Sequence, residues 1–399
     1  MTVEPAPAHS PPAPIEHEVR ALWMLDFSIT FLNHGAFGAR LRSVCEAQQA
    51  RRRELEARPV EFLDRRSPDL LEQAKRPLGQ FLGMNPANFG FVTNATEGVN
   101  AVLRSLTFGA GDELLTTDHV YPAVRKTLRY VASRSGAEPV EAAIPLPVGS
   151  PDEIVDAVAS HITGRTKIVI VDHITSITAI VFPVKRIIEL CAERGVDVLV
   201  DGAHAPGMLE VNIEQLGAAY YVGNLHKWVC APPGAAFVWV RPDRQADIHP
   251  TVISHSYGEG LSREFSWQAT RDVSAWLTVP EALRQMHALA APEGWLRIMR
   301  HNHELAVWMQ AMLCEAWQTA PNSPIDGSML GSMAAITLPS GVDRLGSQKE
   351  LKRALYETHR IEVPVIEDSD PWLIRPCCQV YNSPEQYHRL ARAVAELAR

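Results

Sequence analysis

From residue 89 to residue 201 the chain repeats one pattern, a short aliphatic run rich in Val and Ile followed by a stretch of amphipathic helix. Phe89–Thr93 precedes a helical stretch over about 97–106, and Glu113–Thr116 precedes one over about 122–133. Lys167–Asp172 comes before a helical pattern over about 183–194, and Asp197–Asp201 follows it. Strands that read as continuous apolar runs are covered on both faces, and helices in alternation with them do the covering. The pattern predicts an α/β domain with a mostly parallel sheet, whose ligands sit at the carboxyl ends of the strands.

From Val279 onward the pattern changes to long helical stretches, over 279–287 and 292–319. The β-like runs 334–338 and 372–376, the extended run 361–365 and the helices 347–359 and 384–397 complete a smaller α+β lobe. The expected division is an N-terminal arm over 1–25, disordered in its first part, a large domain over 26–275 and a small domain over 276–399, with a linker near 272–280.

Composition excludes several classes. With 38 Lys+Arg against 46 Asp+Glu the formal charge is −8, and no basic stripe offers itself to nucleic acid. The 6 cysteines include no CxxC pair and no spacing suited to a metal, a usage that fits a reducing compartment. The Pro-rich start lacks the apolar core of a secretory signal, and the longest apolar runs are strand-sized, too short for a membrane span. A cytoplasmic enzyme with no metal, membrane or nucleic-acid partner is the expectation.

Three segments carry candidate chemistry. Val196-Asp-Val-Leu-Val-Asp201-Gly-Ala-His204 is a buried strand ending in an acid where a parallel sheet presents its site, although such an acid can also simply cap the next turn. Asn224-Leu-His226-Lys227-Trp228 puts a lysine among apolar and aromatic neighbours. There the amine must be paired or desolvated, and a desolvated lysine is the nucleophile that carbonyl condensation requires. Thr93-Asn94-Ala95-Thr96-Glu97-Gly98 runs from a strand into a helix, either an ordinary N-cap or a cradle for an anion, phosphate being the natural guest. Asp118-His119-Val-Tyr121 adds an imidazole, which could stack on a planar ligand or sit satisfied at the surface, and a phenol that could move a proton.

Together with Phe31-Leu-Asn33-His34-Gly-Ala-Phe-Gly38, these motifs closely resemble, in order and over about residues 31–390, the class V aminotransferase family of pyridoxal phosphate enzymes of fold type I. The match is with its isopenicillin N epimerase-like branch. The resemblance implies that Lys227 binds pyridoxal 5′-phosphate covalently and then acts at the substrate α-carbon, while Asp201 keeps the pyridine nitrogen protonated. It implies that His204 lies near the ring hydroxyl, that His119 stacks on the ring, and that Ser176 lies beside it. Ala95, Thr96 and His226 would hold the phosphate with Asn94 and Asn224 close by, and Thr270 would reach the phosphate of a neighbouring subunit in a homodimer with shared sites. Asn33, His34 and Tyr121 would line the substrate side, with Arg375 gripping the α-carboxylate of a small amino-acid-type substrate.

Desulfurases of this family carry a reactive cysteine on a loop shortly before that arginine, and residues 360–374 contain none. The expected reaction is therefore epimerase- or racemase-type proton transfer at the α-carbon. The alternatives are a C–S lyase that eliminates from a cysteine-conjugate sulfoxide, as in ergothioneine biosynthesis, and then an aminotransferase. A non-catalytic binding protein that keeps the fold would be expected to have lost Lys227 or Asp201, and both are present.

Overall fold

The computed structural model of the protein describes residues 10–15, 19–367 and 369–399. The first nine residues, where a disordered arm was expected, lie outside them. Twelve strands occur among the described residues: β1 (Thr30–Phe31), β2 (Phe89–Val92), β3 (Glu113–Thr117), β4 (Glu138–Ala142), β5 (Thr166–Asp172), β6 (Asp197–Asp201), β7 (Tyr220–Asn224), β8 (Ala236–Val240), β9 (Ile336–Thr337), β10 (Ile361–Glu362), β11 (Val365–Ile366) and β12 (Leu373–Ile374).

Seven of them form the central sheet in the order β2-β8-β7-β6-β5-β3-β4. β3 to β7 pair in parallel, and β8 alone runs against its neighbours β2 and β7. The expected mostly parallel sheet is present, and its inner strands are buried along nearly their whole length, as their apolar sequence requires. β4, with the sequence EPVEA and mostly exposed side chains, closes one edge, where charge and proline discourage further pairing.

The helices Ala95–Ser105 and Pro122–Ser135 cover one face of the sheet, and Arg42–Ala57, Ser67–Leu82, Val184–Glu193 and Val279–Leu289 build the core of the other. A further apolar cluster joins Leu32 to residues of Trp295–Trp317, Gln348–Glu357 and Pro384–Leu397 and to the small sheet β11-β12-β9. The last of these helices starts at a capping box, in which the Ser383 side chain and Gln386 satisfy each other's backbone N–H groups. β1 is held far from its sequence neighbours, in parallel pairing with β10. No helix among the described residues is long and apolar enough to cross a membrane.

Candidate active site

The carboxyl ends of β2, β3, β5, β6 and β7 open into one cavity of about 510 Å³. It is lined by Thr93, Asn94, Ala95 and Thr96 after β2, Tyr121 after β3, Asp172 and Ser176 at and after β5, Asp201, Ala203 and His204 from β6, and Asn224, His226 and Lys227 from β7. This is where a doubly covered parallel sheet presents its ligand site.

At one end the helix Ala95–Ser105 points its N-terminus into the cavity. Asn94 caps it by accepting from the Glu97 N–H at 2.8 Å, and the Glu97 carboxylate reaches back to accept from the Thr93 N–H at 2.6 Å. Asn224 Oδ1 accepts from the Ala95 N–H at 2.8 Å, which ties the end of β7 to this helix. The segment is an ordinary cap, and it stands at the cavity wall with His226. Burial, then the nearby Lys227 charge, lowers the His226 imidazole to about 4, so the ring is neutral, and its Nδ1–H donates to the Ala235 carbonyl at 3.3 Å.

At the other end two acids stand side by side. Asp172 and Asp201 are register partners on β5 and β6, and both are buried. Burial first, and then the Asp201 charge, raises the Asp172 carboxyl well above its ordinary range; burial also raises Asp201, which accepts from the Ala203 N–H at 2.9 Å. Asp172 Oδ2 has no hydrogen-bond partner. Two buried carboxyls, both under the influence of one amine that pairs directly with neither, leave room for a further cationic or N–H donor.

That amine belongs to Lys227. Burial, followed by the Arg375 charge, lowers it to about 8 against the partial compensation of Asp201. Lys227 Nζ lies 3.0 Å from His204 Nε2, and the Trp228 indole N–H donates to His204 Nδ1 at 3.4 Å. An indole nitrogen can only donate, so Nδ1 is the acceptor and the proton of a neutral ring sits on Nε2. His204 is neutral, because burial, and next to it Lys227, hold its pKa well below the usual value. Its Nε2–H then donates to the amine in its free form, which the lowered pKa brings closer to neutral pH.

Four residues expected at the site, Asn33, His34, His119 and Arg375, are not among those that line the cavity. His34 does not face the cavity: its Nε2–H donates to the Lys227 carbonyl at 3.0 Å and its Nδ1 accepts from the Tyr381 hydroxyl at 2.8 Å, so it braces the lysine from behind. Asn33 donates to Glu362 at 2.9 Å, and the cavity wall next to it is made by Ala36 and Phe37. His119, expected on the ring face, turns into a neighbouring cavity. Its Nε2–H donates to the Ile144 carbonyl at 3.1 Å and its Nδ1 accepts from the Thr178 hydroxyl at 2.8 Å, so of this segment it is Tyr121 that lines the first cavity. Thr270 is exposed and away from the cavity. Arg375 is buried and donates to the Ser176 carbonyl just behind the lining, with its Nε unpartnered. Asp172 and Gly234 line the cavity without having been singled out in the sequence, and Ala36, Phe37, Thr93 and Ala203 line it from within motifs that were.

A seven-stranded sheet of this order with a strand-end acid, a desolvated lysine and a helix N-terminus in one cavity defines a pyridoxal phosphate enzyme of fold type I. The donors fit that group: a helix end for a phosphate, paired acids for a protonated pyridine nitrogen and an amine of lowered pKa for an aldehyde. The chain belongs to the class V aminotransferase family, whose model matches residues 40–342, and its cofactor is pyridoxal 5′-phosphate.

The isopenicillin N epimerase of Amycolatopsis lactamdurans is 34% identical over 393 residues, covering 94% of this chain and 96% of that protein. A probable chloroplastic L-cysteine desulfhydrase of Arabidopsis thaliana is 33% identical and covers 92% and 82%. Among solved structures, a cystine C–S lyase in complex with cysteine persulfide superposes with a TM-score of 0.78 at 23% identity, over 93% of this chain and 97% of that one.

Proposed function

We propose that the protein removes and returns the α-proton of an amino acid or amino-acid conjugate, as an epimerase does. The observation that carries this reading is the meeting in one cavity of two proton carriers, the desolvated Lys227 amine and the Tyr121 phenol. The similarity to an isopenicillin N epimerase over nearly the whole chain supports it.

Bound at this site, pyridoxal phosphate supplies an electron sink for the charge left when the α-proton departs. Lys227 holds the group covalently and carries the proton on one side of the α-carbon, and Tyr121 serves the other. Asp201, with Asp172 beside it, holds the pyridine nitrogen protonated, and His204 keeps Lys227 uncharged. Asn94, Ala95, Thr96, Asn224 and His226 form the phosphate end, and Ser176 borders the ring. Arg375, a buried cation with a free Nε–H, receives the substrate carboxylate. The exposed Thr270 is available to the phosphate end of a second copy, in a homodimer with shared sites.

A second reading has its own support. The desulfhydrase relative is about as similar as the epimerase, so β-elimination, with Lys227 taking the α-proton and Tyr121 protonating the departing sulfur, uses the same residues. Proton NMR of the holoenzyme in heavy water separates the two. Loss of the α-proton signal with an intact side chain and appearance of the D-form supports the epimerase; pyruvate formation from a cysteine conjugate replaces it with the lyase. An amino acid that keeps its α-proton throughout rejects both.

A further inference from the structure

A second cavity, of about 540 Å³, lies beside the first. Chain neighbours line the two. Tyr121 lines the first and His119, two residues earlier, the second; Ser176 lines the first and Ile177 and Thr178 the second. Leu373 faces the second, while Arg375, two residues on, lies against Ser176. The far wall comes from Ala320, Asn322 and Thr337, so the cavity sits where the sheet rim meets the second apolar cluster, a common place for ligands.

Its lining sorts into an apolar stretch, Ile144, Leu146, Pro147, Ile177 and Leu373, and two carboxylates, Asp118 and Asp370. Neither lysine nor arginine occurs among the described residues that line it, and the His119 ring has both nitrogens engaged. Asp118 keeps an exposed side chain, whose Oδ1 accepts from the Ile144 N–H at 2.9 Å and lies 3.9 Å from His119 Nε2, while its Oδ2 has no side-chain cation within ion-pair distance among the described residues.

We infer that this cavity is the distal subsite for the substrate side chain, and that it takes an aliphatic chain ending in an ammonium group. The inference rests on the proposed α-carbon chemistry and names its substrate class. With the carboxylate at Arg375 and the α-carbon at Lys227, the side chain extends past Ser176 and Thr178 along the apolar wall, and its terminal cation meets Asp118 and Asp370.

The test is α-proton exchange in heavy water by the holoenzyme with L-alanine, L-norleucine, L-lysine and L-2-aminoadipate. The expected kcat/KM for lysine exceeds that for norleucine by at least about tenfold, and 2-aminoadipate falls below both. In the Asp118→Asn, Asp370→Asn double variant the alanine and norleucine rates stay as they were, and the preference for lysine over norleucine collapses to within about twofold. Equal rates for lysine and norleucine in the wild type, or a lysine preference that survives in the double variant, overturn the subsite and leave the α-carbon chemistry standing. No exchange with any of the four, alanine included, overturns both.

Discussion

Trp228→Phe isolates the tautomer argument. The substitution removes the indole N–H that fixes the proton of His204 on Nε2 and keeps a flat aromatic ring in the same buried place. In the wild type an ammonium on Lys227 would set its N–H against the Nε2–H at 3.0 Å, so the arrangement favours the free amine. In the variant the ring is free to move its proton to Nδ1, and Nε2 becomes an acceptor for the ammonium. One neutral hydrogen bond is worth about 1 kcal/mol, which corresponds to a rise of about 0.7 in the Lys227 pKa from its starting value of about 8. At pH 7 the free-amine fraction, and with it the rate of recombination of the apoenzyme with pyridoxal phosphate, then falls about fivefold. Near pH 10, where the amine is free in both proteins, the rates converge. The assay is stopped-flow absorbance of the lysine-bound cofactor from pH 6 to 10, with melting curves to set aside any loss of stability. A midpoint that stays put or moves down refutes the assignment of the proton to Nε2.

Three further outcomes follow from the same geometry. Lys227→Ala is expected to abolish the visible band of the covalently bound cofactor; a normal band in that variant removes the lysine from its role. Gly38→Ala would place a Cβ 1.9 Å from the His226 carbonyl oxygen at a φ of +72°, so the expected loss is at least about 1–2 kcal/mol of stability together with weakened cofactor retention, and unchanged melting contradicts it. Because His226 is neutral with its Nδ1–H already donated, a phosphate dianion that bonds its other nitrogen requires a proton. Calorimetry in buffers of different ionisation enthalpy is expected to show proton uptake on binding of pyridoxal phosphate at pH 7, reduced in His226→Asn, and affinity weakening as pH rises. Equal proton uptake in wild type and variant moves the proton elsewhere.

The inner strands were legible because burial on both faces leaves an unmistakable aliphatic run. β4 was not, since an edge strand of sequence EPVEA obeys the opposite rule. The polar helix Arg42–Ala57 shows few apolar residues and could not announce itself by a stripe. At the site, Lys227, Asp201, His204 and the Thr93–Thr96 turn were legible because each follows a strand directly. Asp172 had the same signal, an acid closing a Val- and Ile-rich run, and its pairing with Asp201 emerges only from sheet register. His119 and Tyr121 could not be told apart in sequence. Residues two apart in the turn after β3 end in different cavities, and only the fold shows which goes where. His34 was read as facing substrate, and nothing local reveals that its partners lie at Lys227 and Tyr381.

The pairing of β1 with β10 also sets a timetable. Asn33 bonds Glu362 across 329 residues of chain, and the Leu32 carbonyl accepts from the Cys377 N–H. At a translation rate of about 5–20 residues per second, the segment that braces Lys227 from behind waits roughly 20–60 s for the strand that will hold it. Until then the lysine and its strand-end acids stand in a sheet whose back support is missing. A chain cut short before residue 361 carries every residue named as a chemical group except Asp370 and Arg375, and lacks the strand that holds the segment behind the lysine.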